Sequence, residues 1–209
     1  MKHFSNRYMM LYALGIAAVV AVLLTVVSTS LRERQHANVH NEQLQMLLAA
    51  IGIECDRDEA PALYLQYFTA DTTVEGSDLP LYRFHKDALR GFVVPMQGKG
   101  LWGNIYANVA LADDFNTIVG ITFSHDSETP GLGAEITSSD FCNQFVGKQI
   151  LDGDGRLVSI AVVKQADPEA LHEVDAISGG TMTSNGVGEM LAQRLALYEP
   201  FIDALRDEQ

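Results

Sequence analysis

The first thirty residues of the chain are apolar, and the rest alternates between short apolar and polar stretches. From Met9 to Thr29, 21 consecutive residues carry no charge. A helix rises about 1.5 Å per residue, so this stretch is long enough to cross a hydrocarbon core of about 30 Å. We predict a transmembrane anchor in residues 1–30. A cleaved signal peptide is the alternative, since Ser28 and Ser30 fit the positions before a cleavage site, although its apolar core usually spans only about 7–15 residues.

After the anchor, the apolar positions are spaced as on a helix. Residues 31–53 are predicted to form a juxtamembrane helix that stops at Gly52, because they carry a loose apolar stripe formed by Val39, Leu44, Leu47, Leu48 and Ile51. Residues 54–209 are predicted to form one soluble domain. Its first part, up to residue 80, is acidic and mixed, and the run LYLQYF at 63–68 indicates a short strand.

Beyond residue 80 the pattern changes to strands and then to a closing helix. β-Branched and aromatic residues favour strands at 91–96, 104–112, 116–125 and 156–164. Turns are predicted at Asp113–Phe115 and at Gly153–Gly155. The closing helix has one apolar face, which Pro200 is expected to interrupt, formed by Val187, Met190, Leu191, Leu195 and Tyr198. The predicted fold is therefore α+β: an N-terminal transmembrane helix, then a domain of antiparallel strands flanked by helices.

Charge separates the two parts and narrows the class of partner. The net charge is −13, and Lys2 and Arg7 are the only charged residues among the first 30. An acidic body argues against nucleic acid, which requires a basic face. The charges of Lys2 and Arg7 slightly favour a cytoplasmic N-terminus. No cysteine and histidine cluster indicates a metal site, and the sequence leaves open whether Cys55 and Cys142 form a disulfide.

Residues 175–187 form a loop of small and hydroxyl-bearing residues ahead of the closing helix. Such a loop presents free backbone N–H groups and the positive end of a helix dipole, which suits a phosphate. We expect Thr181 and Thr183 just ahead of the helix, with the N–H groups of Ser184, Asn185 and Gly186 free to hold the phosphate. In the alternative interpretation, Thr183, Ser184 or Asn185 only caps the helix. Neither a nucleotide P-loop nor a Rossmann turn is present.

The segment Ser178-Gly179-Gly180-Thr181-Met182-Thr183-Ser184, preceded by Asp175, resembles the S-G-A-T-x-T motif of the FMN-binding domain family. In that family a flavin transferase takes FMN from FAD and joins its phosphate to the last threonine of the motif. The resemblance implies covalent FMN on Thr183. It also implies cofactor contacts from five neighbouring residues, which are Ser178, Gly179, Gly180, Thr181 and Ser184.

Two further blocks, residues 98–103 (GKGLWG) and 128–136 (ETPGLGAEI), resemble the NqrC branch of this family, which belongs to the sodium-translocating NADH:quinone oxidoreductase. The resemblance implies that Glu128, Thr129, Leu132 and Gly133 lie against the flavin, with Trp102 and Lys99 nearby. Without it, residues 128–133 are simply a Pro-Gly turn between strands.

The implied function is electron transfer in a bacterial inner-membrane complex that carries electrons from NADH to ubiquinone and exports sodium. The soluble domain is then periplasmic, and the partners are the other subunits, a flavin transferase and membrane lipid. Two alternatives stay open. One is RnfG, the related FMN-bearing protein of an Rnf-type electron transport complex, which shares the threonine motif. The other is an anchored extracytoplasmic binding module without redox function.

Overall fold

The computed structural model describes residues 5–69, 72–74 and 79–207. The chain divides into a unit of residues 1–42 and a unit of residues 43–209. Helix α1 (Asn6–Ala50) is the first element in the described residues, and its part Asn6–Arg32 reaches a mean hydropathy of 2.6. By length and composition this part is able to cross a membrane, which confirms the expected N-terminal apolar helix. The domain limits predicted at residues 30 and 53 stay predictions.

The unit of residues 43–209 contains a five-stranded antiparallel sheet whose strands follow one another in chain order. These strands are β1 (Thr72–Thr73), β2 (Pro80–Lys86), β3 (Leu89–Lys99), β4 (Asn104–Ala112) and β5 (Ile118–His125). A parallel pair lies apart from it, formed by β6 (Ala161–Val163) and β7 (Glu173–Asp175). The other elements are helices α2 (Ala60–Tyr67), α3 (Ser139–Asn143) and α4 (Thr181–Asp207), and a 3₁₀ turn at Gly133–Thr137. The predicted α+β class is confirmed.

The sheet has an apolar core on each face, because successive side chains of a strand point to opposite sides. On β3, Phe92, Val94 and Met96 belong to the core that also contains the apolar face of α4. Val93 belongs to the second core, which contains the last turns of α1 from Leu44 onward. The two cysteines follow the same division. Cys142 packs on the first core and Cys55 on the second, so the sheet separates them and both are free thiols.

The strand predicted at residues 63–68 is wrong, since residues 63–67 belong to helix α2 and Phe68 is the residue that follows it. Pro61 lies in the first turn of that helix, where its fixed φ is favourable and its missing N–H costs nothing. The rings of Tyr64 and Phe68 then stack with centroids 4.7 Å apart. Aromatic residues four positions apart meet on one helix face, so the residues that suggested a strand stabilise a helix.

Two later boundaries also differ from the prediction. Of residues 156–164, only Ala161–Val163 form a strand, because the N–H groups of Val158 and Ser159 both donate to the carbonyl of Ile150. Pro200 does not interrupt α4, which continues to Asp207. Pro200 is exposed, whereas Tyr198 and Ile202 on either side of it are buried, and the hydroxyl of Tyr198 donates to the carbonyl of Pro80 at 2.8 Å. Packing therefore holds the helix through the proline.

The strands on both sides of the predicted Asp113–Phe115 turn are present. β4 has the expected limits, whereas β5 begins two residues later than expected. The carboxylate of Asp114 accepts the N–H groups of Asn116 and Thr117, at 2.9 and 2.8 Å, and so extends the turn. Burial acts to raise the pKa of Asp114, but the hydrogen bonds from Thr117 and Asn116 outweigh it and lower the pKa.

Candidate functional site

Helix α4 begins earlier than the sequence suggested, so Thr183 lies inside its first turn. The N–H of Ser184 donates to the carbonyl of Gly180 at 2.9 Å, as the regular helical pattern requires. The expectation that Ser184, Asn185 and Gly186 offer free N–H groups is therefore wrong. The N–H groups that precede the first regular helical hydrogen bond are those of residues 181–183. No acidic residue lies in this first turn, so its positive end is not neutralised from within the helix.

The loop before α4 is held in place by side chains of the motif itself. The hydroxyl of Ser184 accepts the N–H of Ile177 at 3.0 Å, and the carboxylate of Asp175 accepts the N–H of Ala166 at 2.6 Å. Ser184 is fully buried, so its hydroxyl fastens the loop to the helix. The remaining motif residues differ in exposure: Ser178, Gly179 and Thr181 are exposed, and Gly180 is buried.

The structure brings together two of the predicted residues that are far apart in the chain. The hydroxyl of Thr183 donates to Oε2 of Glu128 at 2.5 Å. Thr183 is 1% exposed and Glu128 is 4% exposed. Within the described residues, Glu128 is the only buried side chain that carries a charge. A buried carboxylate is costly unless it is hydrogen-bonded, and Glu128 is.

Glu128 is held in its ionised form by three donors. Its second oxygen, Oε1, accepts the N–H groups of Trp102 at 2.8 Å and Gly103 at 3.3 Å. Burial acts to raise the pKa of Glu128, but the hydrogen bonds from Thr183, Trp102 and Gly103 outweigh it and leave the pKa below its usual value. The backbone N–H of Glu128 also donates to Nδ1 of His125 at 3.3 Å. The carboxylate is therefore fixed on both oxygens and acts only as an acceptor.

Three glycines allow the segments of the site to approach one another. A Cβ at Gly133 would lie against the hydroxyl of Thr183 and 2.5 Å from Oε2 of Glu128. A Cβ at Gly100 would lie 2.5 Å from Oε1 of Glu128, and one at Gly186 would collide with the carbonyl of Lys99. Glycine at these positions therefore closes the 3₁₀ turn, the β3–β4 loop and α4 around one carboxylate.

Around this buried pair the structure places exposed apolar side chains. Trp102 is 68% exposed, Leu132 is 42% exposed and Met182 is 60% exposed. Leu132 contacts the loop at Gly179, where a Cβ would lie 2.7 Å from its Cδ2. Thr129 is exposed, and its carbonyl accepts the N–H groups of Leu132 and Ala134, both at 3.1 Å.

Lys99 and Trp102 take part in the site differently from one another. The ammonium group of Lys99 donates to Oδ1 of Asn104 at 3.0 Å and is exposed. Trp102 contributes its backbone N–H to Glu128, while its ring is exposed. Whether either side chain contacts a flavin stays a prediction.

Sequence reasoning did not single out His125, Gly100 or Met182. The signal for Gly100 was present, because it lies in the GKGLWG block, but a glycine carries no side-chain chemistry to suggest a role. His125 is recognised only through its contact with Glu128, and the sequence named Gly186 for its N–H but not for its close approach to Lys99.

Comparison with known proteins identifies the family. The model of the FMN-binding domain family matches residues 100–196, a range that contains Trp102, Glu128 and Thr183. NqrC of the Na(+)-translocating NADH-quinone reductase from Parabacteroides distasonis has a crystal structure similar to this chain, with 34% sequence identity and a TM-score of 0.76. That match covers 82% of this chain and 96% of the other. The chain belongs to the NqrC family.

Two further comparisons support the assignment to this family. NqrC of the Na(+)-translocating NADH-quinone reductase from Vibrio vulnificus strain YJ016 is 29% identical over an alignment of 237 positions, and the match covers 92% of each chain. The crystal structure of Shewanella oneidensis NqrC, at 24% identity, covers 80% of this chain and 98% of that one with a TM-score of 0.68. The second similarity bears on the fold alone. The Vibrio vulnificus match thus extends over most of the chain.

Proposed function

We propose that this chain carries FMN as a phosphoester on Thr183 and relays single electrons within a sodium-translocating NADH:quinone oxidoreductase. The observation that carries the proposal is the position of Thr183 in the first turn of α4, within the range that matches the FMN-binding domain family. The N–H groups of that turn and the positive end of the helix favour a phosphate. When bound, FMN supplies one-electron chemistry that amino-acid side chains do not offer.

The residues around Thr183 suit such a group. The loop residues Ser178, Gly179, Gly180 and Thr181 allow a phosphate to approach the helix terminus, with Ser184 holding the loop closed behind it. The exposed side chains of Leu132 and Trp102 offer apolar surface for a flavin ring. We propose that Thr129, Gly133, Glu128 and Lys99 complete the surroundings of the cofactor.

Attachment is proposed to require a flavin transferase that uses FAD. A threonine hydroxyl has almost no acidity at neutral pH, and residues 178–188 contain no histidine or lysine, so an enzyme that binds and positions FAD is needed. A phosphoester keeps the flavin on the protein through every redox cycle. This property suits a relay that neither binds NADH nor reduces quinone itself.

The proposed location is the bacterial inner membrane, with one membrane-spanning helix and the domain of residues 43–209 on the periplasmic side. The apolar part of α1 supports the span, and Lys2 and Arg7 support a cytoplasmic N-terminus. Membrane lipid and the other subunits of the complex are then the partners of the chain.

Production of the full chain together with its flavin transferase tests the proposal. The intact mass should increase by one FMN phosphoester, and the band should fluoresce in a denaturing gel, because only a covalent flavin survives denaturation. A chain that stays colourless would favour the anchored binding module without redox function. The genes that flank this one distinguish a sodium-translocating reductase from an Rnf-type complex.

A further inference from the structure

The hydroxyl proposed to receive the flavin already donates a hydrogen bond to a carboxylate of the same chain. Thr183 and Glu128 form a buried hydrogen bond of 2.5 Å. A hydrogen bond from a hydroxyl to a carboxylate at this distance is of the strong, charge-assisted type. Thr181 is exposed on the same turn and forms no such contact in the described part of the chain. The proposed attachment of FMN to Thr183 and not to Thr181 therefore has a structural explanation.

We propose that Glu128 is the proton acceptor for Thr183 during flavin attachment, so that this chain brings its own base to the transferase. The inference rests on the proposed function. The bond that forms joins Oγ of Thr183 to the phosphorus of the FMN half of FAD. The bond that breaks is the phosphoanhydride bond to adenylate, which leaves with the bonding electron pair. The hydroxyl proton passes to Oε2 of Glu128, and no electron is gained or lost by the flavin.

The arrangement has the parts expected for phosphoryl transfer to a hydroxyl. In protein kinases an aspartate accepts the proton of the substrate hydroxyl, and Glu128 stands in that relation to Thr183. The N–H groups of Trp102 and Gly103 hold its other oxygen, so the carboxylate keeps its orientation and its charge. His125 accepts the backbone N–H of Glu128 and fixes the residue from the β5 side.

The position of the proton after transfer also matters. An ester phosphate beside an ionised Glu128 would place two negative charges in one buried site, which is unfavourable. If the proton moves to Glu128, the side chain becomes neutral and is able to donate a hydrogen bond to the new ester. The same residue therefore serves the hydroxyl before transfer and the phosphate after it.

Access to the hydroxyl requires a local movement that leaves Glu128 in place. Thr183 is buried, and Gly133 packs so closely against its hydroxyl that a Cβ there would collide with Oγ. Gly131, two residues earlier, has a φ of 73°, and a Cβ there would meet no atom within 4 Å. The proposal therefore requires residues 131–133 to move away from Thr183, while the hydrogen bonds from the β3–β4 loop hold Glu128 in place.

The test is the rate of flavin attachment to the full chain in detergent, with purified transferase and FAD, at several chain concentrations. Glu128→Gln keeps the size of the side chain but presents one acceptor oxygen, so it is unable to serve both Thr183 and the two N–H groups. We expect kcat to fall about 10²-fold with little change in KM. Glu135→Gln makes the same chemical change at an exposed position of the 3₁₀ turn and should leave both constants unchanged.

Thermal unfolding checks that each variant is folded. If Glu128→Gln is not folded, Glu128→Asp serves instead, because it keeps the charge but withdraws the carboxylate by about 1.5 Å and should lower kcat about 10-fold or more. A folded variant with the wild-type kcat would overturn the role of Glu128, as would a change confined to KM. A wild-type chain that acquires no flavin on Thr183 would instead refute the proposed function itself.

Discussion

The backbone of Gly133 lies directly against the hydroxyl of Thr183, so closely that no side chain fits between the 3₁₀ turn and helix α4. The same hydroxyl donates a hydrogen bond to the carboxylate of Glu128. The buried pair is therefore closed by backbone atoms of one segment and held by the N–H groups of another. A change in any of the three segments should alter the packing or the hydrogen bonding of Thr183.

Gly133→Ala should destabilise the domain through this contact. The new Cβ would lie 2.5 Å from Oε2 of Glu128 and would collide with Oγ of Thr183. Overpacking of a buried site costs about 1–3 kcal/mol in the free energy of unfolding, which urea denaturation measures. Gly153→Ala is the matched control, since a Cβ there meets nothing within 4 Å. Equal stability of the two variants would show that the 3₁₀ turn shifts to accommodate the added methyl group at little cost in free energy.

Thr183→Ala should abolish covalent flavin, because it removes the oxygen that the phosphoester requires. Thr181→Ala should still yield a labelled chain, with the flavin on residue 183. Peptide mass mapping after proteolysis measures both results. Flavin on Thr181 or Ser184, or a fluorescent Thr183→Ala band in a denaturing gel, would contradict the assignment.

The same two variants should differ in stability before any flavin is attached. Thr183→Ala leaves the buried carboxylate of Glu128 without one of its donors, which costs about 1–3 kcal/mol. Thr181 is exposed, and substitutions at such positions usually stay within about 0.5 kcal/mol of the wild type. Urea denaturation of the flavin-free chains compares them.

The long-range parts of the fold were predictable only where local pattern and packing agree. Residues 104–112 alternate in burial over most of their length and form β4 within the expected limits. Residues 63–68 carry strand-forming aromatics, but Pro61 and the Tyr64–Phe68 stack favour a helix. Pro200 is a local helix breaker that the buried neighbours Tyr198 and Ile202 override.

The candidate site was predictable as a set of residues but not as an arrangement. The resemblance pointed to both Thr183 and Glu128, which are 55 residues apart in the chain. Their hydrogen bond depends on how the segment after β5 passes over α4, and no spacing in the sequence encodes that path. The roles of Gly133 and Gly100 follow from the same path, since each faces an atom from a different segment.

Glu128 should also give the stability of the domain a defined pH dependence. Its pKa in the fold is lowered from the ordinary value of 4.5, because its hydrogen bonds outweigh its burial. A lowered pKa stabilises the fold above the unfolded value, and this contribution is lost as the pH falls through the folded pKa. The stability difference between wild type and Glu128→Gln should therefore be constant from pH 7 to about pH 5 and shrink at lower pH.

Urea denaturation at a series of pH values measures this difference. The comparison with Glu128→Gln matters because Asp114 and Asp152 also have lowered pKa values and contribute equally to both proteins. A difference that grows below pH 4.5 would mean that the carboxyl is protonated more readily in the fold than in the unfolded chain.

The orientation of the chain in the membrane is tested by reporter fusions after the last residue, Gln209. A reporter active only outside the cytoplasm should be active there, and a reporter active only in the cytoplasm should be silent. The expectation rests on Lys2 and Arg7 on the N-terminal side of the apolar helix. The reverse pattern would place the domain in the cytoplasm and refute the proposed location.

Leu132→Asp tests whether the segment of residues 128–133 lies against the flavin. Leu132 is 42% exposed and contacts the loop at Gly179, so the variant should fold and still be loaded on Thr183. A carboxylate beside the ring disfavours the addition of electrons, so the midpoint potential should fall. A fall of about 30 mV corresponds to about 1.4 kcal/mol for a two-electron couple.

Leu171→Asp makes the same change at a leucine that is 47% exposed in the β6–β7 connection, and its potential and absorption spectrum should match the wild type. If the spectrum and potential of loaded Leu132→Asp also match the wild type, this segment is only a turn, and the flavin ring lies elsewhere.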